Sequence, residues 1–339
     1  MLIPKIKLLI LYIVIIVAML LAVSMAKLNS FAKVLNVGVI DIFTPTPAEI
    51  TKDGSINILF LGVGGEGHEG PFLTDSITFI RYTPSSNTIT TLGLPRDIWD
   101  PEIQDKINSI YTYGMQQQTT DKFSYTKRKF QELFGVNFDY IAVVDFGDFE
   151  KLIDLLGGIT VHLDKGFIDP MYPKEGSENE VCVPFDPDYG CRYQTLVFRA
   201  GDLNLNGSVA LKFVRSRHAQ GSEGSDFSRN IRQQIVINAV KTKIMTLIQQ
   251  RDFDGLYNIT VFLNNQIGRD ISNKEALPIV RTIISRLNTL KIISNTIGND
   301  LLETPPMDKY EGRYVLIPIN NDYNNFKQIV ENYLNQRKY

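Results

Sequence analysis

The sequence predicts an α/β protein, in which helices cover a sheet, preceded by one transmembrane helix. Residues 8–26 form an uncharged apolar run, which at a helical rise of about 1.5 Å per residue covers the hydrocarbon core of a bilayer. Further on, residues 140–144 read as a strand, 149–156 as a helix ended by two glycines, and 159–163 as another strand. A β-α-β unit of this kind favours a helix-covered sheet over an all-β body.

The apolar run also divides the chain. We expect residues 1–7 to be a cytoplasmic tail, 8–26 the transmembrane helix, 27–55 an extracytoplasmic stalk and 56–339 the folded C-terminal domain. The stalk contains alternating Thr and Pro, which favour an extended spacer. The prediction is a single-pass protein of the cell membrane with its C-terminal domain outside the cytoplasm. A cleaved signal peptide remains an alternative, because small residues end the apolar run.

Composition and charge indicate a globular protein and argue against a general role in binding polyanions. The chain has 339 residues, 44% of them hydrophobic, and a formal net charge of −2, so it can bury a large core and is not a general polyanion binder. The short tail leaves no room for an element that reads DNA, and we expect no nucleic-acid partner. Cys182 and Cys191 lie in a stretch, residues 164–193, that reads as a long loop. The sequence leaves two alternatives for them, a disulfide or two free thiols.

The remaining elements follow from hydrophobic periodicity, caps and turns. Predicted strands are 56–61, 76–82, 88–94 and 314–319, and predicted helices are 122–134, 206–214, a long helix capped by residues 225–226, 276–290 and 323–335.

Three polar clusters occur where the chain leaves these elements. They are residues 73–76, 94–97 and, in two parts, 215–218 with 225–234. Arginine suits phosphate because its planar guanidinium is always charged and donates bidentate hydrogen bonds. Arg229 and Gln233 are four residues apart and share a face near a helix N-terminus, which favours anions. Asp75 beside arginines makes sense if a divalent cation bridges it to phosphate. Alone, each cluster also fits an ordinary surface ion pair.

In order and spacing, the clusters resemble the LytR–CpsA–Psr family of cell-wall glycopolymer transferases over about residues 56–250. The matching stretches are NILFLG at 57–62, TDS at 74–76, LPRD at 94–97, KIN at 106–108, DLLGG at 154–158, AL at 210–211 followed by Arg215 and Arg217, and SDF at 225–227 followed by Arg229, Arg232, Gln233 and Gln234.

The resemblance implies an α-β-α sandwich whose central mixed sheet encloses an apolar lipid pocket with a pyrophosphate at its mouth. It assigns head-group contacts to Arg96, Arg215, Arg217, Arg229 and Gln233. It assigns Asp75 to a Mg²⁺ ion, and it places Asp97 and Asp226 where they orient the arginines or lie close to the metal.

One departure concerns the metal. Family members usually carry an Asp shortly after Leu-Gly as a second carboxylate, and here residues 62–65 read GVGG. Two alternatives are open: Glu66 or His68 substitutes in this chain, or Asp75 holds the metal with phosphate and water alone.

The function implied is transfer of a glycopolymer, such as teichoic acid or capsule, from a polyprenyl-pyrophosphate-linked donor to a peptidoglycan hydroxyl, which forms a phosphodiester. The expected partners are that donor, the peptidoglycan acceptor and membrane lipid. Two alternatives stay open: a hydrolase of the same donor, and a non-enzymatic regulator that binds lipid or glycan.

Overall fold

The computed structural model of the chain describes residues 29–30, 32–38, 40, 54–65, 70–117, 121–174, 176–177, 180–182, 189–224, 226–298 and 300–336, with only the backbone of 222, 226, 227 and 230. The predicted transmembrane helix and cytoplasmic tail lie outside these residues. Within them, no helix combines the length and the apolar composition that a membrane span requires.

Short strands alternate with helices along the chain. The strands are β1 (Ile56–Val63), β2 (Thr74–Thr83), β3 (Thr88–Leu94), β4 (Trp99–Asp100), β5 (Asp105–Lys106), β6 (Tyr140–Asp145), β7 (Ile159–Leu163), β8 (Phe167–Pro173), β9 (Tyr193–Phe198), β10 (Gly201–Leu205), β11 (Gly268–Arg269), β12 (Lys291–Thr296), β13 (Leu302–Glu303) and β14 (Ile317–Pro318).

The principal helices in the described ranges are α1 (Ile110–Gln116), α2 (Lys122–Phe134), α3 (Phe146–Leu155), α4 (Gly207–Arg215), α5 (Asp226–Gln250), α6 (Phe253–Gln266), α7 (Asn273–Ser285) and α8 (Tyr323–Leu334).

The chain divides into two compact units. One comprises residues 50–270 and 286–339, and it contains the central sheet. The other comprises residues 1–49 and 271–285. In this second unit, the side-chain amide of Asn273, at the start of α7, donates a 2.6 Å hydrogen bond to the carbonyl of Leu35.

The central sheet has six strands in the order β11-β6-β1-β2-β3-β12. Strand β1 is antiparallel to β2 and parallel to β6, and β3 is parallel to β12, so the sheet is mixed. This confirms the predicted α/β class with a mixed central sheet. The topology brings the end of β1, the start of β2, the end of β3 and the end of β6 to one edge of the sheet.

The two faces of this sheet have different roles because side chains alternate along a strand. On one face, Leu59, Leu61 and Phe79 are fully buried in a core that includes residues of α2 and α8. The Phe79 and Phe134 rings are 5.2 Å apart and nearly perpendicular, a favourable aromatic arrangement. On the opposite face, Phe60, Thr78 and Ile80 of the same strands line a cavity, and the functional site lies there.

Local predictions held better than those that depend on strand pairing. The predicted helix 122–134 and strand 159–163 match α2 and β7, whereas β6 and β7 pair in different sheets, so the expected β-α-β unit does not share one sheet. Residues 314–319 contain only the two-residue strand β14.

The stretch 164–193 was wrongly expected to be a loop throughout, because β8 and β9 form a hairpin within it and just beyond it. Two prolines and a register shift in β8 hide the strand pattern. Cys182 and Cys191 form a disulfide, with Cα atoms 5.6 Å apart, which decides between the two open alternatives.

Candidate functional site

A cavity of about 630 Å³ lies against the second face of the central sheet. Its walls come from β1, β2, β3, β6 and β12 on the sheet side and from α3, α4 and α5 on the other. Most of the wall is apolar, and Phe60, Phe146, Val214 and Ile237 are examples. A cavity of this size and composition accommodates an apolar ligand or part of one.

Small residues on the second face leave the space open. Gly62 and Gly93 line the cavity where larger side chains would fill it. A side chain at Gly62 would place its Cβ 3.1 Å from the Cβ of Ser76 and 3.6 Å from the Phe146 ring. Any side chain at this glycine would therefore crowd Ser76 of β2 and Phe146 of α3.

Charged residues line the same cavity. They are Arg96, Arg215, Arg217 and Arg229 among the cations and Asp75 and Asp145 among the anions, with His218 and Gln233 beside them. Among the described lining residues, the arginines exceed the aspartates by two positive charges when His218 is neutral.

Topology explains why three of these groups meet. Asp75 begins β2, Arg96 follows β3 and Asp145 ends β6, and these strand ends share one edge of the sheet. Arg215, from the end of α4, reaches the same edge, because its guanidinium lies 4.4 Å from the ring centre of Phe146, the neighbour of Asp145. The apolar cavity is therefore charged where the strands end.

Arg96 is held between two carboxylates. Its Nη1 forms an ion pair with Asp75, and its Nε lies 3.8 Å from the Asp97 carboxylate. The Nε is buried and makes no hydrogen bond within the described part of the chain. A buried donor without an acceptor is costly, so this atom is suited to an acceptor supplied by a ligand.

Most residues predicted for the site come together. Asp75, Arg96, Arg215, Arg217, Arg229 and Gln233 all line the cavity. Asp97 is not among the lining residues, and its carboxylate accepts a 2.7 Å bond from Lys106 Nζ beside Arg96. Glu66, His68 and the side chain of Asp226 lie outside what the structure describes, so their predicted roles stay predictions.

Asp145 is the residue that sequence reasoning missed. Its carboxylate lines the cavity and accepts a 2.7 Å hydrogen bond from the Asp148 amide, which caps α3. Gly65, with φ +83°, lies against it, because a Cβ there would be 3.0 Å from the Asp145 Cβ. Asp145 thus adjoins the segment that lacks the expected Asp. Its signal was present, since it directly follows the predicted strand 140–144.

No cluster of three or more metal-binding side chains occurs among the described residues. The carboxylates that line the cavity there are Asp75 and Asp145. Mg²⁺ is commonly bound by one or two carboxylates, with substrate phosphates and water completing its shell. This donor set fits a magnesium ion that arrives with a phosphate ligand, rather than a cage built by protein alone.

The fold and the site together define an α/β protein with an apolar cavity lined by arginines at the edge of a mixed sheet. The chain belongs to the LytR–CpsA–Psr family, because the sequence model of the LytR_cpsA_psr family matches residues 25–329. The resemblance found in the motifs is thereby confirmed.

Two relatives illustrate the similarity. The polyisoprenyl-teichoic acid–peptidoglycan teichoic acid transferase TagU of Bacillus cereus is 28% identical over 202 residues, which are 58% of this chain and 54% of the relative. The corresponding transferase TagV of Bacillus subtilis is 29% identical over 201 residues, 56% of this chain and 44% of the relative. The match therefore spans about half the length of these relatives.

Solved structures share the fold. The crystal structure of B. subtilis TagV superposes with a TM-score of 0.55 at 21% identity, covering 84% of this chain and 99% of that one. A structure of TagT bound to LI-WTA superposes with a TM-score of 0.51 at 18% identity, covering 86% of this chain and 95% of that one. At these identities the likeness establishes the common fold.

Proposed function

We propose that the protein transfers a glycopolymer from a polyprenyl-pyrophosphate-linked donor to a peptidoglycan hydroxyl, forming a phosphodiester. The observation that carries this proposal is the presence of four arginines in the lining of one apolar cavity. An apolar chain joined to a phosphate group matches that combination, and neither part alone does. The names of TagU and TagV, which describe such transfer for those proteins, support the same assignment.

Charge complementarity supports a pyrophosphate in particular. The described lining has a surplus of two positive charges, which attracts a pyrophosphate esterified at both ends, since that group carries roughly two negative charges. The unpartnered Nε of Arg96 supplies a donor for one phosphate oxygen. Gln233 adds a neutral side-chain amide on the face of α5 that also carries Arg229.

In the proposed reaction, an acceptor sugar hydroxyl attacks the glycan-side phosphorus. A new P–O bond forms, the bond from that phosphorus to the bridging oxygen breaks, and polyprenyl phosphate leaves with the bond's electrons. The hydroxyl proton passes to a carboxylate, for which Asp75 and Asp145 are the candidates that line the cavity. The arginines hold the phosphates in place and offset the charge on their oxygens.

We propose that Mg²⁺ accompanies the donor, held by Asp75 and Asp145 together with the phosphates. Glu66 and Asp226 remain predicted ligands from the sequence. When bound, the ion would neutralise charge on the phosphate oxygens. Localisation to the cell membrane through residues 8–26, with the catalytic domain outside, belongs to the same proposal, because a polyprenyl-linked donor resides in that membrane.

Arg217→Ala tests the function in an assay with purified lipid-linked donor, peptidoglycan acceptor and Mg²⁺. We expect transfer to be lost, because Arg217 lines the cavity. Arg128→Ala is the control, since that arginine is 58% exposed on α2 and pairs with Glu132. Undiminished transfer by Arg217→Ala would refute the assignment. Glycan released free, with none on peptidoglycan, would favour the hydrolase, and no donor consumption by the wild type would favour the binding-only regulator.

A further inference from the structure

Cavity residues lie on both sides of one buried residue at the end of α4. Arg215 and Arg217 line the cavity, together with His218. Ser216, between the two arginines, is fully buried. Contacts that fix the backbone of Ser216 therefore also restrict the backbone positions of the two neighbouring arginines.

A buried carboxylate outside the cavity lining holds this segment, residues 215–218. Asp169, on β8, is 0% exposed. Its Oδ2 accepts hydrogen bonds from the Ser216 hydroxyl at 2.6 Å, the Arg217 amide at 3.1 Å and the His218 amide at 3.2 Å. Its Oδ1 accepts from the amide of Met171 at 3.1 Å. A buried carboxylate is tolerated only when it is hydrogen-bonded in this way.

A buried arginine also holds Ser216, through a hydrogen bond to the Ser216 backbone carbonyl. Arg232, on α5, is 2% exposed, and its Nη2 donates a 2.8 Å hydrogen bond to the Ser216 carbonyl. Its guanidinium lies 4.6 Å from the ring centre of Phe167 and 3.5 Å from the Glu223 carboxylate. Burial lowers the pKa of Arg232 from its usual value, and the charges of Glu223 and Asp169 oppose that shift.

Neither Asp169 nor Arg232 belongs to the cavity lining. Arg232 lies three residues after Arg229 on α5, so it connects the arginine segment to the helix that supplies another cavity arginine. The hydrogen bonds of Asp169 to this segment come from residues 216–218, which include one of the two arginines and both of its neighbours.

We propose that Asp169 is a positioning residue, which with Arg232 fixes the backbone of residues 215–218 so that Arg215 and Arg217 converge on one pyrophosphate. The proposal rests on the proposed function for the identity of the ligand. Fixing the arginines before the ligand binds removes the ordering cost that a mobile segment would add to binding. Asp169 therefore acts on the phosphates through Arg215 and Arg217 and does not touch them.

The test compares farnesyl pyrophosphate with farnesol, which has the same apolar chain and no phosphate, by titration calorimetry of the purified protein. In Asp169→Asn, the amide replaces one carboxylate oxygen by a donor, so it cannot accept all four bonds. We expect affinity for farnesyl pyrophosphate to fall at least about ten-fold while affinity for farnesol stays the same. A merely structural role would change both affinities together.

Controls separate the possible failures. The control is Asp270→Asn, which also removes a carboxylate that accepts a hydrogen bond from a backbone amide, that of Ile141 at 2.8 Å. Because Asp270 lies outside the cavity lining, the affinities for farnesyl pyrophosphate and for farnesol should both stay unchanged. In the double variant Asp169→Asn/Arg217→Ala, the loss of affinity for farnesyl pyrophosphate should be smaller than the two single losses combined, because part of the Asp169 effect acts through Arg217.

Additive losses in the double variant, or equal losses for both ligands, would overturn the positioning role. If wild-type protein binds farnesyl pyrophosphate no better than farnesol, the proposed function itself fails. If Asp169→Asn does not fold, Ser216→Ala replaces it, since that change removes only the 2.6 Å hydroxyl bond. We expect a smaller loss there, about three-fold and again confined to farnesyl pyrophosphate, and equal affinity of Ser216→Ala and wild type for that ligand would count against the proposal.

Discussion

The guanidinium of Arg96 is ion-paired with the carboxylate of Asp75 across the edge of the central sheet. Their side chains are 38% and 31% exposed, and ion pairs in such partly exposed settings contribute about 0–1 kcal/mol to stability. The pair therefore adds little to the free energy of unfolding. Its importance lies in how it orients a cavity arginine whose Nε still lacks an acceptor.

Substitutions of this pair should affect activity much more than stability. We expect Arg96→Ala to lower kcat for transfer by roughly 10²-fold, the usual effect of removing a group that stabilises transition-state charge, with little change in melting temperature. Asp75→Ala combined with Arg96→Ala should cost no more than the worse single variant if the two act as a unit. A large drop in melting temperature for Arg96→Ala would show a structural role instead.

Asp145 allows the proposed metal site to be tested apart from folding. Asn is as good an N-cap as Asp, so Asp145→Asn should keep the cap on α3 and leave melting temperature almost unchanged. If the carboxylate helps to hold Mg²⁺, the variant should need several-fold more Mg²⁺ for half-maximal transfer. It should also bind Mn²⁺ more weakly in the presence of farnesyl pyrophosphate, measured by calorimetry. Wild-type metal affinity in this variant would remove Asp145 from the site.

Neighbouring residues of β3 provide a matched pair for the cavity. Thr91 lines it, whereas Leu92 is fully buried in the core on the opposite face. Thr91→Phe should fill the space and weaken farnesol binding about ten-fold or more, with stability kept or slightly raised. Leu92→Ala should cost about 2–5 kcal/mol of unfolding free energy in urea denaturation and leave farnesol binding intact. Weaker farnesol binding by Leu92→Ala, with unchanged binding by Thr91→Phe, would show that the ligand does not bind on the Thr91 face of the sheet.

The disulfide should contribute to stability through the unfolded state. Cys182 and Cys191 are nine positions apart, and closing a loop of that size is worth about 2–3 kcal/mol in the chain-entropy treatment. A variant with both cysteines replaced by Ser should lose that amount in chemical denaturation. Reductant should destabilise the wild type by the same amount and leave the variant unaffected. Equal stability of oxidised and reduced wild type would contradict the expectation.

A pH effect should arise far from the cavity, at the pairing of β7 and β10. The 2.6 Å hydrogen bond between His162 Nδ1 and the Asp202 carboxylate raises the pKa of His162, and the charges of Asp202 and Asp164 act in the same direction. A raised folded-state pKa gives stability that is complete below the unfolded value of about 6.5 and is lost as pH rises through the folded value. Melting temperature of the wild type, compared with Asp202→Asn, should therefore fall slightly more between pH 6 and 8. Parallel profiles would exclude this linkage.

The local elements could be predicted from sequence because their signals are local. Helix α2 starts after the capping residue Asp121 and ends at Gly135, and its bounds were predicted to the residue. The pairing of strands could not be predicted in the same way. Strand β7 pairs with β10, forty residues away, and no pattern within β7 itself encodes that choice.

The site shows the same division. Asp75 and Arg96 were found because motif order pointed to them, and the sheet brings them to one edge. Asp145 directly follows a predicted strand, but this position alone does not distinguish it from an ordinary helix cap, which it also is. Asp169 was missed because β8 was taken for a loop, and a buried carboxylate is recognisable only once its hydrogen-bond donors are known.

The alternation along β1 and β3 has a consequence for how such a protein can evolve. In β1, Leu59 and Leu61 face the core while Phe60 and Gly62 face the cavity. Residues that stabilise the fold and residues that shape the cavity therefore alternate along the same strand. Except at the closely packed Gly62, a lineage can therefore remodel its ligand chamber by point changes at these alternate positions without eroding the packing that keeps the sheet intact. Relatives that accept differently sized isoprenoids should diverge at those alternate sites.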